Sequence, residues 1–219
     1  MARAKLDSRG STERVAETLE KETARVEAFS DGVFAIAITL LVLEFKVPHL
    51  PHEASSLDLF RALLDLWPSM VAFLGSFIAI LIMWINHHGL FRLIHKTDSR
   101  FLWANGFMLL MVTFVPFPTA VLAEYLGRPG ERTAAALYVG SFVLTSTAFN
   151  VFWATATKRG LVKHTVPAAV VARIRNAYRF GFCVYAVATL LSLWSAPLGL
   201  AACLSLWIYW SVLSYRADD

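Results

Sequence analysis

The sequence has 219 residues, of which 57% are hydrophobic and only 16% are charged. Soluble domains carry about 25% charged residues, so this chain holds more apolar surface than one soluble core needs. The formal charge of +4 comes from basic residues at the ends of apolar stretches, without the interleaved aromatic residues of a nucleic-acid surface. These features exclude a soluble nucleic-acid-binding domain and predict an integral membrane protein whose surroundings are a lipid bilayer.

The first 25 residues mix acidic and basic side chains with Ser and Thr and contain no apolar run. This pattern predicts a solvated arm, residues 1–25, that leads into the first helix. A secretory signal needs an apolar segment before its cleavage site, so we expect the N-terminus to be retained.

Several uncharged stretches reach the roughly 20 residues that a helix needs to cross a bilayer core about 30 Å thick. Trp67-Pro68 is typical of an interfacial first turn, and Pro197 divides the last apolar run into two. We predict an all-α integral membrane protein with a transmembrane domain over residues 26–216 and a short tail over 217–219. Its six spans are 26–47, 63–86, 101–124, 133–156, 175–195 and 198–215.

Lys and Arg are distributed unequally between the two sides of this predicted bundle. With spans alternating in direction, one side holds fifteen of them, including the arm, and the other holds four, while Arg179 lies just inside the fifth span. By the positive-inside rule both termini are cytoplasmic, and the protein is expected to be a multi-pass protein of the cell membrane.

Cysteine and histidine show no pattern of a disulfide or a metal site. Cys183 and Cys203 lie inside apolar stretches, where thiols usually pack as small hydrophobes. No His-Glu-x-x-His motif occurs, and adjacent histidines point to different faces of a helix. We therefore predict no metal, no cofactor and no enzymatic activity; the six histidines are His49, His52, His87, His88, His95 and His164.

The first span differs from the others because its uncharged part covers only residues 32–43, between Asp31 and Glu44. Twelve residues cannot cross a bilayer, so the helix must extend through Asp31 toward Glu27. An ionisable residue at that depth needs protein or water around it, which makes Asp31 a candidate functional residue.

Helical periodicity places Ile36, Leu40 and Leu43 in one narrow stripe, with Thr39 about 60° to one side. Asp31 falls about 140° away from Ile36, so the two side chains face different environments. On periodicity alone, this stripe is more typical of residues that pack in a core or face lipid than of residues that line a pore.

The chain contains three long motifs in three separate predicted helices. They are Arg25-Val-Glu-Ala-Phe29-Ser30-Asp31-Gly-Val-Phe-Ala-Ile36-Ala-Ile-Thr39-Leu-Leu-Val-Leu43-Glu44, then Trp84-Ile-Asn86-His87-His88-Gly-Leu-Phe91, and finally Leu102-Trp103-Ala-Asn105 followed by Phe114-Val-Pro116-Phe-Pro118-Thr119. In this order they resemble the bacterial members of the lysosomal potassium channel family known as transmembrane protein 175. Beyond residue 125 the resemblance is one of hydropathy and helix number.

The resemblance implies a homotetramer of six-helix subunits, in which four copies of the first helix line a central pore without a selectivity-filter loop. It also implies that apolar side chains of this helix close the pore, which here are Ile36, Leu40 and Leu43. We therefore expect a potassium channel with K⁺ as the permeant ion. Thr39 offers the hydroxyl oxygen beside the stripe, so we expect modest selectivity for K⁺ over Na⁺.

A second set of residues maps to the cytoplasmic halves of three helices and contains donors for a buried carboxylate. We predict that they form a structural hydrogen-bond network that holds the first helix, as the resemblance also implies. The sequence leaves open which of the two adjacent histidines joins it; the set is Arg25, Ser30, Asp31, Trp84, His87, His88, Trp103 and Asn105.

Three other functions remain as alternatives. A proton-coupled secondary transporter would use Asp31 as its proton carrier, but no inverted repeat or matched pair of broken helices is visible. A membrane metalloenzyme would need a better histidine arrangement, and a scaffold without transport would differ only by the absence of ion flux.

Overall fold

The computed structural model describes the backbone of residues 2–213 and the side chains of residues 21–213. Within that part of the chain every regular element is a helix, and the one extended pairing is an isolated bridge between Ile94 and Val162. The all-α class predicted from the sequence is confirmed. The predicted tail, residues 217–219, lies outside the described residues.

Connections of at most eleven residues join successive helices in the described chain. In chain order they are α1 (Ala2–Leu40), a 3₁₀ helix (Leu41–Glu44), α2 (Ser56–Leu64), α3 (Trp67–Phe91), α4 (Ser99–Phe114), α5 (Pro116–Tyr125), α6 (Glu131–Lys158), α7 (Ala168–Trp194) and α8 (Ala196–Val212). The backbone of the predicted arm is helical and continuous with α1.

Five helical segments of the described chain are long and apolar enough to cross a membrane, and they correspond to the first five predicted spans. They are Lys21–Glu44, Trp67–Phe91, Ser99–Tyr125, Glu131–Lys158 and Ala168–Trp194. The apolar helix α8 has 17 residues and covers the predicted sixth span, 198–215, as far as Val212; residues 214 and 215 lie outside the described part of the chain. Helix α8 rises about 25 Å, slightly less than the thickness of a bilayer core.

The structure moves the starts of two predicted spans, extends the second span from 86 to Phe91 and adds one helix. The second span begins at Trp67, because Leu63 and Leu64 belong to the separate helix α2. The fifth begins at Ala168 and not at 175, since its first turns carry arginines that a hydropathy pattern assigns to a loop. Apolar length alone detects neither a polar first turn nor a short surface helix.

Helix α6 occupies the centre of the subunit, where it contacts α4, α5, α7 and α8. In its most apolar stretch 61% of the residues are buried, against 22% in the span Lys21–Glu44. Helix α1 is thus peripheral in the single subunit, packed on α3 and α4 along one face.

Two loops at the same end of the bundle are joined to each other. The bridge between Ile94 and Val162 is flanked by two backbone hydrogen bonds of 3.0 and 2.8 Å. Arg159 Nε, just after α6, donates to Asp98 Oδ2 at 2.7 Å, and Asp98 Oδ1 caps α4 by accepting from the Phe101 N–H at 2.9 Å. These contacts tie the start of α4 to the end of α6.

The Asp98 contacts predict a pH dependence of stability. The Phe101 N–H and the Arg159 guanidinium hold the pKa of Asp98 below its ordinary value of 3.8. A carboxyl with a lowered folded-state pKa stabilises the fold above its unfolded pKa, and this contribution is lost as the pH falls through the folded value. We expect Asp98→Asn, which retains capping capacity, to lower the unfolding temperature at pH 7 and to match the wild type at low pH.

Thermal unfolding of both proteins in detergent between pH 7 and pH 2 measures this difference, because the loss occurs below pH 3.8. Arg159→Gln is the matched control, because it removes the same ion pair from the other side. If the unfolding temperature of Asp98→Asn stayed below that of the wild type by the same amount at every pH, the lowered pKa of Asp98 would be contradicted.

Candidate functional site

Helix α1 has one buried face. Ser30, Phe34, Ala37 and Leu41 are all at most 1% exposed, and they follow one another at intervals of three or four residues. This spacing places them on one side of the helix, where they pack against α3 and α4.

The opposite face of α1 carries large apolar side chains that the described part of the subunit leaves exposed. Ile36, Leu40 and Leu43 are 58%, 40% and 71% exposed, and Phe29 continues the stripe at 67%. The predicted stripe assumed α-helical periodicity for Leu43, whereas the structure places this residue in the 3₁₀ helix. Leu43 nevertheless remains exposed. In a membrane-spanning segment such a face meets lipid, another subunit or a pore.

Thr39 is also exposed, beside the stripe. Its hydroxyl donates to the Ile36 carbonyl oxygen at 2.9 Å, so its proton is held against the helix backbone. The lone pairs of Thr39 Oγ1 remain available as acceptors on the exposed side.

A directed chain of hydrogen bonds joins three helices on the buried side. Asn105 Nδ2 of α4 donates to Ser30 Oγ at 2.9 Å, and Ser30 Oγ donates to the Val26 carbonyl oxygen at 2.9 Å. Asn105 Oδ1 must then accept from His87 Nε2, which lies 3.1 Å away on α3. These bonds reinforce one another in a low dielectric and fix His87 as the Nε2–H tautomer.

The His87 ring is fully buried among aromatic side chains. Its centroid lies 5.3 Å from that of Phe34, 4.6 Å from that of Phe91 and 5.9 Å from that of Phe152. Nδ1 of His87 has no hydrogen-bond partner among the described residues. His87 therefore depends on Asn105 for the single hydrogen bond that its ring makes here.

A second pair of contacts joins α1 to α3 one turn apart. Trp84 Nε1 donates to Asp31 Oδ1 at 2.8 Å, and His88 Nδ1 donates to Glu27 Oε1 at 2.8 Å. Each pair of partners is four residues apart on its own helix, so both donors face both acceptors. Asp31 thus points toward α3, while the Ile36 stripe points away from it.

The structure separates the sequence-predicted cluster into these two parts and brings both histidines into contact with polar partners. Two of its predicted members lie elsewhere. Trp103 is 82% exposed, and Arg25 lines an open groove between α1 and α4 together with Asn105. Glu27 is not identified from the sequence as the partner of His88. Glu27 lies four residues before Asp31 and therefore on the same face of α1, and this spacing could have indicated the contact.

The Asp31 contact predicts a loss of stability on substitution. We expect Asp31→Leu to lower the free energy of unfolding by about 1–3 kcal/mol, because Trp84 Nε1 loses its acceptor. Trp84→Phe removes the same hydrogen bond. The double variant should therefore lose less free energy of unfolding than the sum of the losses in the two single variants. Unfolding curves and size-exclusion profiles measure both effects. A stable, normally assembled Asp31→Leu protein with altered ion selectivity would show instead that Asp31 faces the permeation path.

Among the described residues no group of three or more His, Cys, Asp or Glu side chains is placed to hold a metal ion. Cys183 is exposed, Cys203 is buried, and both thiols are free.

Comparison with known proteins places these motifs in context. The family described as "Endosomal/lysosomal potassium channel TMEM175" matches residues 25–116. A potassium channel of Chamaesiphon minutus is 49% identical over 197 residues, which cover 89% of this chain and 96% of that protein. The human endosomal/lysosomal proton channel TMEM175 is 31% identical over 146 residues, which cover 64% of this chain and 29% of the human protein.

A solved structure supports the same relationship. The crystal structure of a lysosomal potassium-selective channel TMEM175 homologue from Chamaesiphon minutus superimposes with a TM-score of 0.77 at 48% identity. The alignment covers 91% of this chain and all of that chain.

Proposed function

This chain belongs to the TMEM175 family of membrane channels, and from that premise we propose that it forms a potassium-permeable cation channel. Four subunits would surround a central pore, with the α1 stripe of each subunit lining it. The observation that carries this proposal is the exposed stripe of Ile36, Leu40 and Leu43 on a helix whose other face is fully packed.

A tetramer would provide the missing neighbours of α1. One helix cannot enclose a conduction path, whereas four copies related by closed rotational symmetry can. The contacts of Asp31 and Ser30 with α3 and α4 fix the rotation of α1 about its own axis, so the stripe is turned away from the rest of its subunit. The polar cluster would thus act as a positioning device for the pore helix.

A ring of four branched aliphatic side chains would act as the gate. Such a ring can narrow a pore until water is unstable inside it, and an ion cannot pass without its hydration shell or a substitute. K⁺ sheds water at a lower cost than Na⁺, and the outward-facing lone pairs of Thr39 can replace part of the lost shell. One ring of hydroxyl oxygens is a weak selectivity device, so the preference for K⁺ would be modest.

The distribution of Lys and Arg supports an orientation with both termini in the cytoplasm, in the cell membrane. An even number of spans is then required. The sixth would be α8, whose 17 residues cross a bilayer core with slight thinning or with polar groups at the interfaces.

Ion flux from proteoliposomes tests the proposed activity. Purified protein should pass K⁺ electrogenically, with a rate that rises linearly with concentration and a reversal potential that favours K⁺ over Na⁺. Saturating flux that requires a proton gradient and is lost in Asp31→Asn would support the transporter alternative. Absence of flux in liposomes that contain correctly folded protein would overturn the channel.

Crosslinking and mass measurement in detergent or nanodiscs test the assembly. A species with the mass of four subunits is expected. A monomer under native-like conditions would remove the pore, since the described part of one subunit offers no second wall for the α1 stripe.

A further inference from the structure

The strongest feature outside the proposed pore is the short helix α2 with the apolar groove beside it. We propose that α2 lies in the membrane surface as an interfacial helix and that the groove takes an acyl chain of a surrounding phospholipid. This inference requires only that the chain spans a membrane, and it is independent of ion conduction.

Helix α2 is stabilised by its own sequence. The Asp58 N–H donates to Ser55 Oγ at 3.3 Å, and the Ser55 N–H donates to Asp58 Oδ2 at 2.9 Å, which together make a capping box. The side chains of Ser55 and Asp58 thus each satisfy one backbone N–H at the helix start. Within the described chain no residue of α2 is buried, so burial against the rest of the subunit does not account for the helix.

The charged and the apolar side chains of α2 lie on different sides of the helix axis. At about 100° per residue, Arg61, Asp65 and Asp58 fall within a sector about 60° wide. The large apolar side chains occupy the opposite half of the circumference, and each is between 45% and 58% exposed; they are Leu57, Leu59, Phe60, Leu63 and Leu64. A helix with one charged edge and a wide apolar half is the pattern of a segment that lies at a bilayer interface.

The connection to α3 fixes the depth of this apolar half. α2 ends at Leu64, and the spanning helix α3 starts three residues later at Trp67. Trp at the start of a span marks the level of the lipid headgroups. The apolar side chains of α2 therefore lie at the boundary of the hydrocarbon region, where water would not stabilise them but lipid would.

A groove of about 530 Å³ continues this surface onto α3. It is lined by apolar side chains from the end of α2, the start of α3 and the segment after the 3₁₀ helix; they are Phe45, Leu63, Leu64, Leu66, Trp67, Met70 and Val71. From Trp67 onward the exposed apolar residues of α3 recur with helical spacing down to Ile85, so the groove opens onto a face that runs the length of the span. Because the groove is continuous with that face, we assign it to an acyl chain.

An occupied groove would also contact the end of the first span. Phe45 directly follows the 3₁₀ helix, and its ring centroid lies 5.2 Å from that of Phe73 on α3. A bound acyl chain would thus contact Phe45, whose ring packs the end of the first span against α3.

Spin-label accessibility in phosphatidylcholine nanodiscs tests the proposal on the full chain. Labels are introduced by Phe60→Cys and Leu63→Cys in a background of Cys183→Ser and Cys203→Ala. The matched control is Arg61→Cys, one residue away in the charged sector. Size-exclusion and thermal unfolding establish that each labelled protein is folded.

Labels at 60 and 63 should collide with dissolved oxygen several-fold more often than the label at 61. They should be several-fold less accessible to a water-soluble nickel chelate. Nickel access at 60 equal to that at 61 would place α2 in water and overturn the proposal. Protection of 60 and 63 from both reagents would overturn it as well, because protein, such as a second copy of the chain, would then cover the helix.

Discussion

Replacing Ile36 with Asn is expected to increase ion flux and to reduce the preference for K⁺ over Na⁺. If four copies of Ile36 form the apolar constriction, an amide in their place shares hydrogen bonds with water and wets the ring. Lowering the barrier by about 1.4 kcal/mol would raise the flux about tenfold. An ion that passes a hydrated ring keeps more of its own shell, so the difference in dehydration cost between K⁺ and Na⁺ is expressed less fully.

The matched control for this variant is Ile78→Asn. Ile78 lies on α3 and is 48% exposed, close to the 58% of Ile36, but it is not on α1. Ile38→Asn is a second comparison, about 200° around α1 from Ile36. Since Ile38 packs against the core, its substitution should reduce stability and leave the conduction path unchanged.

Flux and reversal potential are measured for the three variants in the same liposomes. Equal flux changes at positions 36 and 78, or unchanged flux at position 36, would show that the stripe packs against lipid or protein and that the gate lies elsewhere.

Replacing Asn105 with Leu is expected to cause a large loss of stability, about 2–4 kcal/mol in the free energy of unfolding. Asn105 bridges α1 and α3 through Ser30 and His87, and all three side chains are buried. Leucine leaves His87 Nε2–H without an acceptor in an aromatic environment, where an unsatisfied donor is costly. The rotation of α1 should also become less well defined, because its contact with α4 through Ser30 is lost.

Two variants separate the cost of the stranded donor from a change in packing. Ser30→Ala removes the two bonds of Ser30 Oγ, to Asn105 and to the Val26 carbonyl oxygen, but leaves the bond between Asn105 and His87. It should therefore cost about 1–2 kcal/mol, less than Asn105→Leu. His87→Phe removes the donor itself, and combined with Asn105→Leu it should recover part of the stability. Unfolding curves for the single and double variants measure this coupling. Strictly additive effects would mean that the hydrogen bond between the two side chains contributes little.

The membrane class and the positions of the spans follow from the sequence because they depend on local quantities. Apolar length, charge at helix ends and helical periodicity are all read along one chain. The same periodicity put Ile36 and Asp31 on different sides of α1, and the structure places them so: Ile36 is exposed, while Asp31 contacts Trp84. Local rules failed where a helix was short or began with polar turns, as in α2 and at the start of α7.

The sequence by itself determined the all-helical membrane fold and the two faces of α1, because bilayer thickness and helix pitch restrict both. Only the tertiary structure decided the polar partners. Whether His87 meets Asn105, whether His88 meets Glu27, and whether Trp103 lies in the cluster depend on distances between helices, which no periodicity along one helix encodes. A hydrogen bond forms within about 3 Å, so a shift of one helix by part of a turn would have chosen different partners.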